Sequence, residues 1–292
     1  MKFGIAVPNF GDYAKREEIL EISALAEELR YDSLWVSDHV IIPNSHEGFG
    51  DTFLDPFIAL TYIAAITKII ELGTSVIILP YRNPIVLAKM VSTLDCLSRG
   101  RVVLGVGAGW LEGEFDALGV PFKERGAVTD EYIEIIKELW TSETPHYKGK
   151  YHEFSNLMFS PKPHRKPNPP IWVGGGSKRA IERAVRHGDG WHPVGYTPSE
   201  LREKADYLNS LLSDEKRDNF VISLRRNLEI DEDKEFKADD TLRGGREKIV
   251  KGIREYSAAG ATHMILYILA IDFKGILKTL RVFAEEIRPD FG

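Results

Sequence analysis

The sequence predicts an α/β protein, a (β/α)8 TIM barrel formed by residues 1–292 as one domain. Three observations carry that prediction. Short apolar runs alternate with helical patterns, and eight such strand–helix pairs follow one another along the chain. The second to fifth runs are largely continuous in apolar residues, the mark of parallel strands buried on both faces. A length of 292 residues is also normal for one such barrel, which takes about 250.

The elements read as follows. Lys2 to Pro8 is the first strand, and a helix from about Ala14 follows, with Ile19, Ile22, Ala26 and Leu29 on one face. Ser33 to Ser37 is the second strand. Asp55-Pro56 is an N-cap followed by proline at the first helical position. Leu72 to Leu79 is the third strand, and Asn83-Pro84 repeats the same helix start, with that helix running to Gly100. Val102 to Gly107 is the fourth strand, with Val128 to Trp140 as its helix. Ile171 to Gly174 and Ser177 to His187 form the fifth pair. Gly190 to Pro193 is a short sixth strand, and Thr197-Pro198-Ser199-Glu200 opens its helix with a capping box. Phe220 to Leu224 with Arg246 to Ala259, then His263 to Leu269 with Lys274 to Ile287, complete the set.

Three connections exceed plain loops: His39 to Leu54 after strand two, Ser142 to Pro170 before strand five, and Arg225 to Gly245 after strand seven. The first and third follow strand C-termini, the face where barrel active sites sit. The proline-rich middle one reads as a wrap around the barrel exterior.

Composition narrows the function. A net charge of -6 supplies no basic excess for nucleic acid. The single cysteine, Cys96, allows no disulfide within the chain and no cysteine zinc site. No His/Asp/Glu set has metal-ligand spacing, so no metal is expected. The N-terminal apolar stretch is too short for a signal peptide, and no run nears the roughly 20 apolar residues of a membrane span. The expected compartment is the cytoplasm. A G-x-S-x-G elbow is absent, and Gly105-Val106-Gly107-Ala108-Gly109 is not the dinucleotide fingerprint.

The strand C-termini gather the candidate site. Gly174-Gly175-Gly176-Ser177 joins strand five to its helix. Glycine lets backbone approach a ligand, and the first amides of a Ser-capped helix have no internal acceptor, which makes an anion cradle for a phosphate. The competing reading is a tight turn. Asp38-His39 ends strand two; His39 exchanges a proton near neutral pH, or else is structural. His192 either lines the pocket or packs between Trp191 and Pro193. Arg82, beside Asn83, either holds an anionic substrate group or pairs with a neighbouring helix.

Taken together, "SLWVSDH", "LGTSVIILPYRNP", "GRVVLGVGAGW", "PPIWVGGGS" and "GDGW" resemble, in order and spacing, the bacterial luciferase-like flavin and deazaflavin oxidoreductases. The resemblance is strong from Met1 to about Trp191 and continues as compatible topology. It implies a barrel that binds coenzyme F420, or alternatively FMN, at its C-terminal face. It implies that Asp38, Ala108 and Gly109 meet the cofactor and that Ser75-Val76 is a non-prolyl cis peptide against the ring. It further implies that Gly174, Gly175, Gly176 and Ser177 hold the phosphate, and that His39 handles the proton. The sugar-phosphate dehydrogenases of the family carry Glu where this chain has Trp110, so the acid partner they use is expected to be missing. Trp110 reads instead as an apolar wall of the substrate pocket or as packing.

The implied activity is hydride transfer between coenzyme F420 and a small organic substrate. The rivals are an FMN-dependent two-component monooxygenase fed by a separate flavin reductase, and a non-catalytic flavin-binding protein. The resemblance also implies a homodimer.

Overall fold

The computed structural model describes residues 1–43, 50, 52–213, 219–231 and 242–292. Eight parallel strand positions close into a barrel. In chain order they are β1 (Lys2–Ala6), β2 (Ser33–Val36), β3 (Glu71–Thr74) continued by β4 (Ile77–Ile78), β5 (Val102–Gly107), β8 (Ile171–Gly174), β9 (Gly190–His192), β10 (Val221–Ile230) and β12 (His263–Ile268). Each pairs with the next; β12 pairs β1, and β9 pairs β10 through Val221↔Gly190, so no edge is left open.

Between the strands run α1 (Arg16–Glu28), α2 (Pro56–Ile66), α3 (Pro84–Ser98), a short α4 (Glu112–Ala117), α5 (Arg125–Thr141), α6 (Lys178–His187), α7 (Pro198–Leu212), α8 (Arg246–Ala258) and α9 (Phe273–Val282). The expected starts are present. The Asp55 side chain accepts from the amides of Phe57 and Ile58, and Asn83 from those of Ile85 and Val86. Thr197 and Glu200 close their capping box.

The core lies where the continuous apolar runs place it, between strands and helices, with Leu34, Leu72, Leu104, Val173 and Leu266 inaccessible to solvent. Inside the barrel, Trp35 and Trp172 stack at 5.0 Å and plug the bottom. The site therefore sits above an aromatic floor.

Three expectations need correction. The third strand is not continuous: it breaks after Thr74, and the Ser75-Val76 peptide that the resemblance singled out is cis. The seventh strand does not end at Leu224. β10 runs on to Ile230 because residues 223–228 pair with β12, and Leu228 to Ile230 then pair with β11 (Leu242–Gly244). Arg225 and Arg226 are thus strand residues. Third, α4 was not foreseen.

The middle connection does wrap the outside. It forms the hairpin β6 (Tyr147–Lys148) and β7 (Glu153–Phe154), and Lys162 then donates to the carbonyls of Leu139 and Ser142 at the end of α5. Of the other two long connections, residues 44–49 and 51, and 232–241, lie outside the described residues. Among the described residues no helix is long and apolar enough to cross a membrane, and no cluster of His, Cys, Asp and Glu could hold a metal.

Candidate active site

The strand C-termini surround a cavity of 610 Å³, within the range of small-molecule sites. Asn9 ties its rim together. Its amide donates to the carbonyls of Ser37 and Leu54, and its oxygen accepts from the Ser37 amide, each at 2.8–2.9 Å. Phe10 and Phe53 stack at 5.2 Å across this tie and form one wall. Trp110, more than half exposed, and Val194 contribute further apolar surface.

His39 stands on that wall, edge-on to Phe53 at 5.4 Å and to Trp110 at 6.2 Å. Its Nδ1 lies 2.7 Å from Glu114 Oε2. Position 110 is Trp, as read from the sequence, but a different carboxylate meets His39: Glu114 of α4, four residues beyond Trp110, whose side chain is wholly buried. Glu114 Oε1 accepts from the amides of Val40 and Ile41, and the Tyr81 hydroxyl donates to Oε2. Burial opposes ionisation of Glu114, but the bonds from His39 and the two amides outweigh it and hold the carboxyl below its ordinary value. A carboxylate only accepts, so Nδ1 carries the hydrogen and proton exchange falls to Nε2.

The glycine run divides its labour. Gly174 makes room for Val76, whose methyl would lie 2.9 Å from an added Cβ. Gly176 makes room for the Tyr196 hydroxyl, 1.8 Å from one. Gly175 alone needs the left-handed region, at φ +99°. Two of the three glycines thus have a packing reason that the sequence could not show. The cradle exists nonetheless. All three glycines and Ser177 line the cavity, and Ser177 caps α6 by accepting from the Ala180 amide. The Lys178 and Arg179 amides, which precede Ala180 in the first turn, have no acceptor within the helix. Arg125 and Arg183 flank this end of the cavity. Arg125 lies over the Phe122 ring at 3.8 Å, and Arg183 pairs with Asp130.

The profile of the luciferase-like monooxygenase family matches residues 1–240. The chain belongs to the luciferase-like monooxygenase family. Among relatives, it is 37% identical over 181 residues to the F420-dependent glucose-6-phosphate dehydrogenase of Amycolatopsis mediterranei. That alignment covers 60% of this chain and 52% of the relative, so the chain spans about half the relative's length. Among solved structures, the monooxygenase RslO1 of Streptomyces bottropensis superposes with a TM-score of 0.88 at 24% identity, over 100% of both chains. An F420-dependent secondary alcohol dehydrogenase in complex with an F420–acetone adduct does so at 0.85 and 20%, over 100% of this chain and 99% of the other. At these identities the structural likenesses establish the luciferase-like barrel and no more.

Within this luciferase-like site the remaining candidates fall into place. Ser75, Val76, Ala108 and Gly109 line the cavity. Asp38 also lines it, but its carboxylate is spent on the chain itself. Arg82 donates to both oxygens, one bond measuring 2.8 Å, and the Ile78 amide adds a third. Burial raises the Asp38 carboxyl against the pull of that guanidinium. Arg82 is therefore not the holder of a substrate anion: its anions are Asp38 and Asp55, and it does not line the cavity.

His192 does line the cavity, as one of its two readings expects, but both of its ring nitrogens are already engaged. It is 0% exposed, stacks on Trp35 at 5.2 Å, and uses both nitrogens on serine hydroxyls, Nε2 with Ser75 and Nδ1 with Ser223. Burial, then the nearby Arg225, push its pKa down to about 3, so the ring is neutral. It holds Ser75 from below. No sequence signal marks Glu114, Arg125 or Arg183; Phe10 is visible only as a residue after strand one, and Phe53 and Arg225 only as parts of the long connections after strands two and seven.

Proposed function

We propose that the protein transfers a hydride between coenzyme F420 and a small alcohol or carbonyl compound, with His39 moving the accompanying proton. The observation that carries this reading is the His39–Glu114 pair at a cavity that is also lined by an anion cradle. The residues present fit a phosphate-bearing ring. The first-turn amides of α6 with the glycine run would hold the phosphate, and Val76, Ala108 and Gly109 would line the ring. When bound, the deazaflavin supplies hydride acceptance and donation. Identity to an F420-dependent dehydrogenase over 60% of this chain supports that choice over FMN.

The chain's own residues do the rest. Glu114 fixes the tautomer of His39 and stabilises it when it is protonated. Tyr81 and the Val40 and Ile41 amides fix Glu114. His39 Nε2 takes the proton from a substrate hydroxyl in oxidation and returns it in reduction. Phe10, Phe53 and Trp110 keep water from the reacting groups and favour a substrate with an apolar body.

We read residues 1–292 as one domain, because β1 and β12, from opposite ends of the chain, are neighbours in the barrel. We place it in the cytoplasm as a homodimer. The outer face of α2 carries Ile58, Tyr62 and Ile66, and α3 carries Val86 and Leu97, all exposed. A helix that is apolar all round is one that is covered on both sides.

The test is turnover. Purified protein is mixed with coenzyme F420 and a panel of small alcohols, and loss of the oxidised deazaflavin absorbance is followed. The expected result is substrate-dependent reduction that His39→Ala abolishes while the cofactor still binds. Full activity in that variant would overturn the role of His39, and cofactor binding without turnover on any substrate would favour a carrier.

A further inference from the structure

The cavity holds a cation, Arg225, with no carboxylate counter-ion among the described residues. Arg225 projects from β10 into the cavity, where its Nη1 donates to Ser37 Oγ at 2.8 Å and to the Ser75 carbonyl at 3.4 Å. Its guanidinium carbon lies 5.3 Å from the centre of the Tyr267 ring, which itself stacks on Phe10. Both oxygens are neutral, and among the described residues no carboxylate pairs with it. Asp38, the carboxylate that lines the same cavity, is taken by Arg82. A guanidinium has five N–H donors. Its Nε and Nη2 have no acceptor among the described residues. A partly buried charge left in this state is costly unless a ligand completes it. Burial pulls Arg225 down from its ordinary value, but an arginine at neutral pH stays charged.

We propose that Arg225 is the counter-charge for the reduced form of the ring cofactor, and that it sets how strongly the protein prefers the reduced over the oxidised ring. This rests on reading the cavity as a ring-cofactor site. The charge balance requires such a group. In alcohol oxidation the carbinol C–H bond breaks and its electron pair leaves with the hydrogen to the ring. The O–H bond breaks and its proton goes to His39 Nε2, and the C=O bond forms. The ring thereby gains two electrons but only one proton equivalent, so one negative charge develops on it. Arg225 is the cavity arginine that touches the Ser75 carbonyl, beside the Ser75-Val76 segment against which the ring would lie, and no carboxylate among the described residues pairs with it. A fixed positive charge near a ring's nitrogens is an established means of tuning it. Arg225 therefore acts on the cofactor, whereas His39 acts on the substrate.

The experiment compares affinities for oxidised and reduced coenzyme F420, by tryptophan quenching under anaerobic conditions, in the wild type, Arg225→Gln and Arg225→Lys. The ratio of reduced to oxidised affinity is expected to fall at least tenfold in the Gln variant, about 30 mV for a two-electron couple. The Lys variant is expected to stay within about threefold of wild type, since it keeps the charge. An unchanged ratio in a folded Gln variant would overturn the proposal, as would a Lys variant that falls as far as Gln. A second measurement needs no variant: the ring-proton pKa of the reduced cofactor, read from its absorbance, is expected to be at least one unit lower bound than free. A bound value equal to or above the free one would overturn the proposal while leaving the cofactor reading intact. Absence of binding in the wild type would instead overturn the cofactor reading itself, and this proposal with it.

Discussion

Glu114 and His39 are 75 residues apart in sequence and 2.7 Å apart in space. His39 was legible because it ends a strand on the face where barrels do chemistry. Glu114 was not, because it is one of three carboxylates in "WLEGEFDAL", and nothing there shows which of them will meet a distant ring. The pair gives a first prediction. His39→Ala is expected to lower turnover by about a hundredfold or more. Glu114→Gln, which keeps the shape but weakens the hold on Nδ1, is expected to lower kcat with little change in cofactor affinity. Steady-state kinetics beside a binding titration check both, and a Glu114→Gln enzyme with wild-type kcat would show that the pair is only structural. His192 gives a second. The unfolded chain's histidine takes up a proton near 6.5, while the folded one resists until about 3. Between those values the unfolded state binds more protons, so stability falls as the pH drops below 6.5, by at most about 1.4 kcal/mol per pH unit for this group. His263, pushed down to about 4 mainly by burial, acts in the same direction. His192→Asn is expected to be less stable at pH 7 yet to show a flatter decline in Tm between pH 6.5 and 4.5.

At the scale of elements, capping chemistry and apolar runs were readable, because both are local. Asp55-Pro56, Asn83-Pro84 and the Thr197 box all open helices where the side chains require it. The errors came from pairing. "RRNLEI" reads as polar, yet it remains in strand because β12 and β11 supply its hydrogen-bond partners and because Arg225, Arg226 and Asn227 line the cavity. Arg225 was hidden by that misreading. Glycines near the strand break are explained by steric neighbours, not by local pattern. A Cβ on Gly105 would lie 1.8 Å from the Thr74 carbonyl oxygen. Because the clash is with backbone, Gly105→Ala is expected to destabilise by about 3 kcal/mol, the upper part of the usual overpacking range, as a lowered melting temperature would report. Gly175→Ala has a different expectation. It offends a φ of +99° and brings its Cβ to 3.2 Å from the Ala180 Cβ at the phosphate cradle, so it is expected to weaken cofactor binding as well as lower the melting temperature.

For the whole molecule, eight strand–helix pairs in 292 residues fixed the barrel before any contact was known, since closure is the economical way to bury parallel strands on both faces. The outer surface was less legible, because exposure depends on which helix faces meet. Ile58 on α2 and Leu97 on α3 are each 70% exposed. If these faces bury one another in a homodimer, the Ile58→Glu, Leu97→Glu double variant should shift the light-scattering mass to that of one 33.0 kDa chain. The wild type should give twice that mass.

The central claim, that this cavity is built for a deazaflavin, is tested most directly by titrating the wild-type protein with coenzyme F420 and with FMN side by side, following tryptophan fluorescence. Trp110 lines the cavity and Trp35 and Trp172 lie below it, so occupancy should quench emission. The account predicts saturable binding of coenzyme F420, tighter than that of FMN. Tighter binding of FMN would contradict the choice of cofactor, and binding of neither would leave the glycine cradle as a turn and the cavity without its ligand.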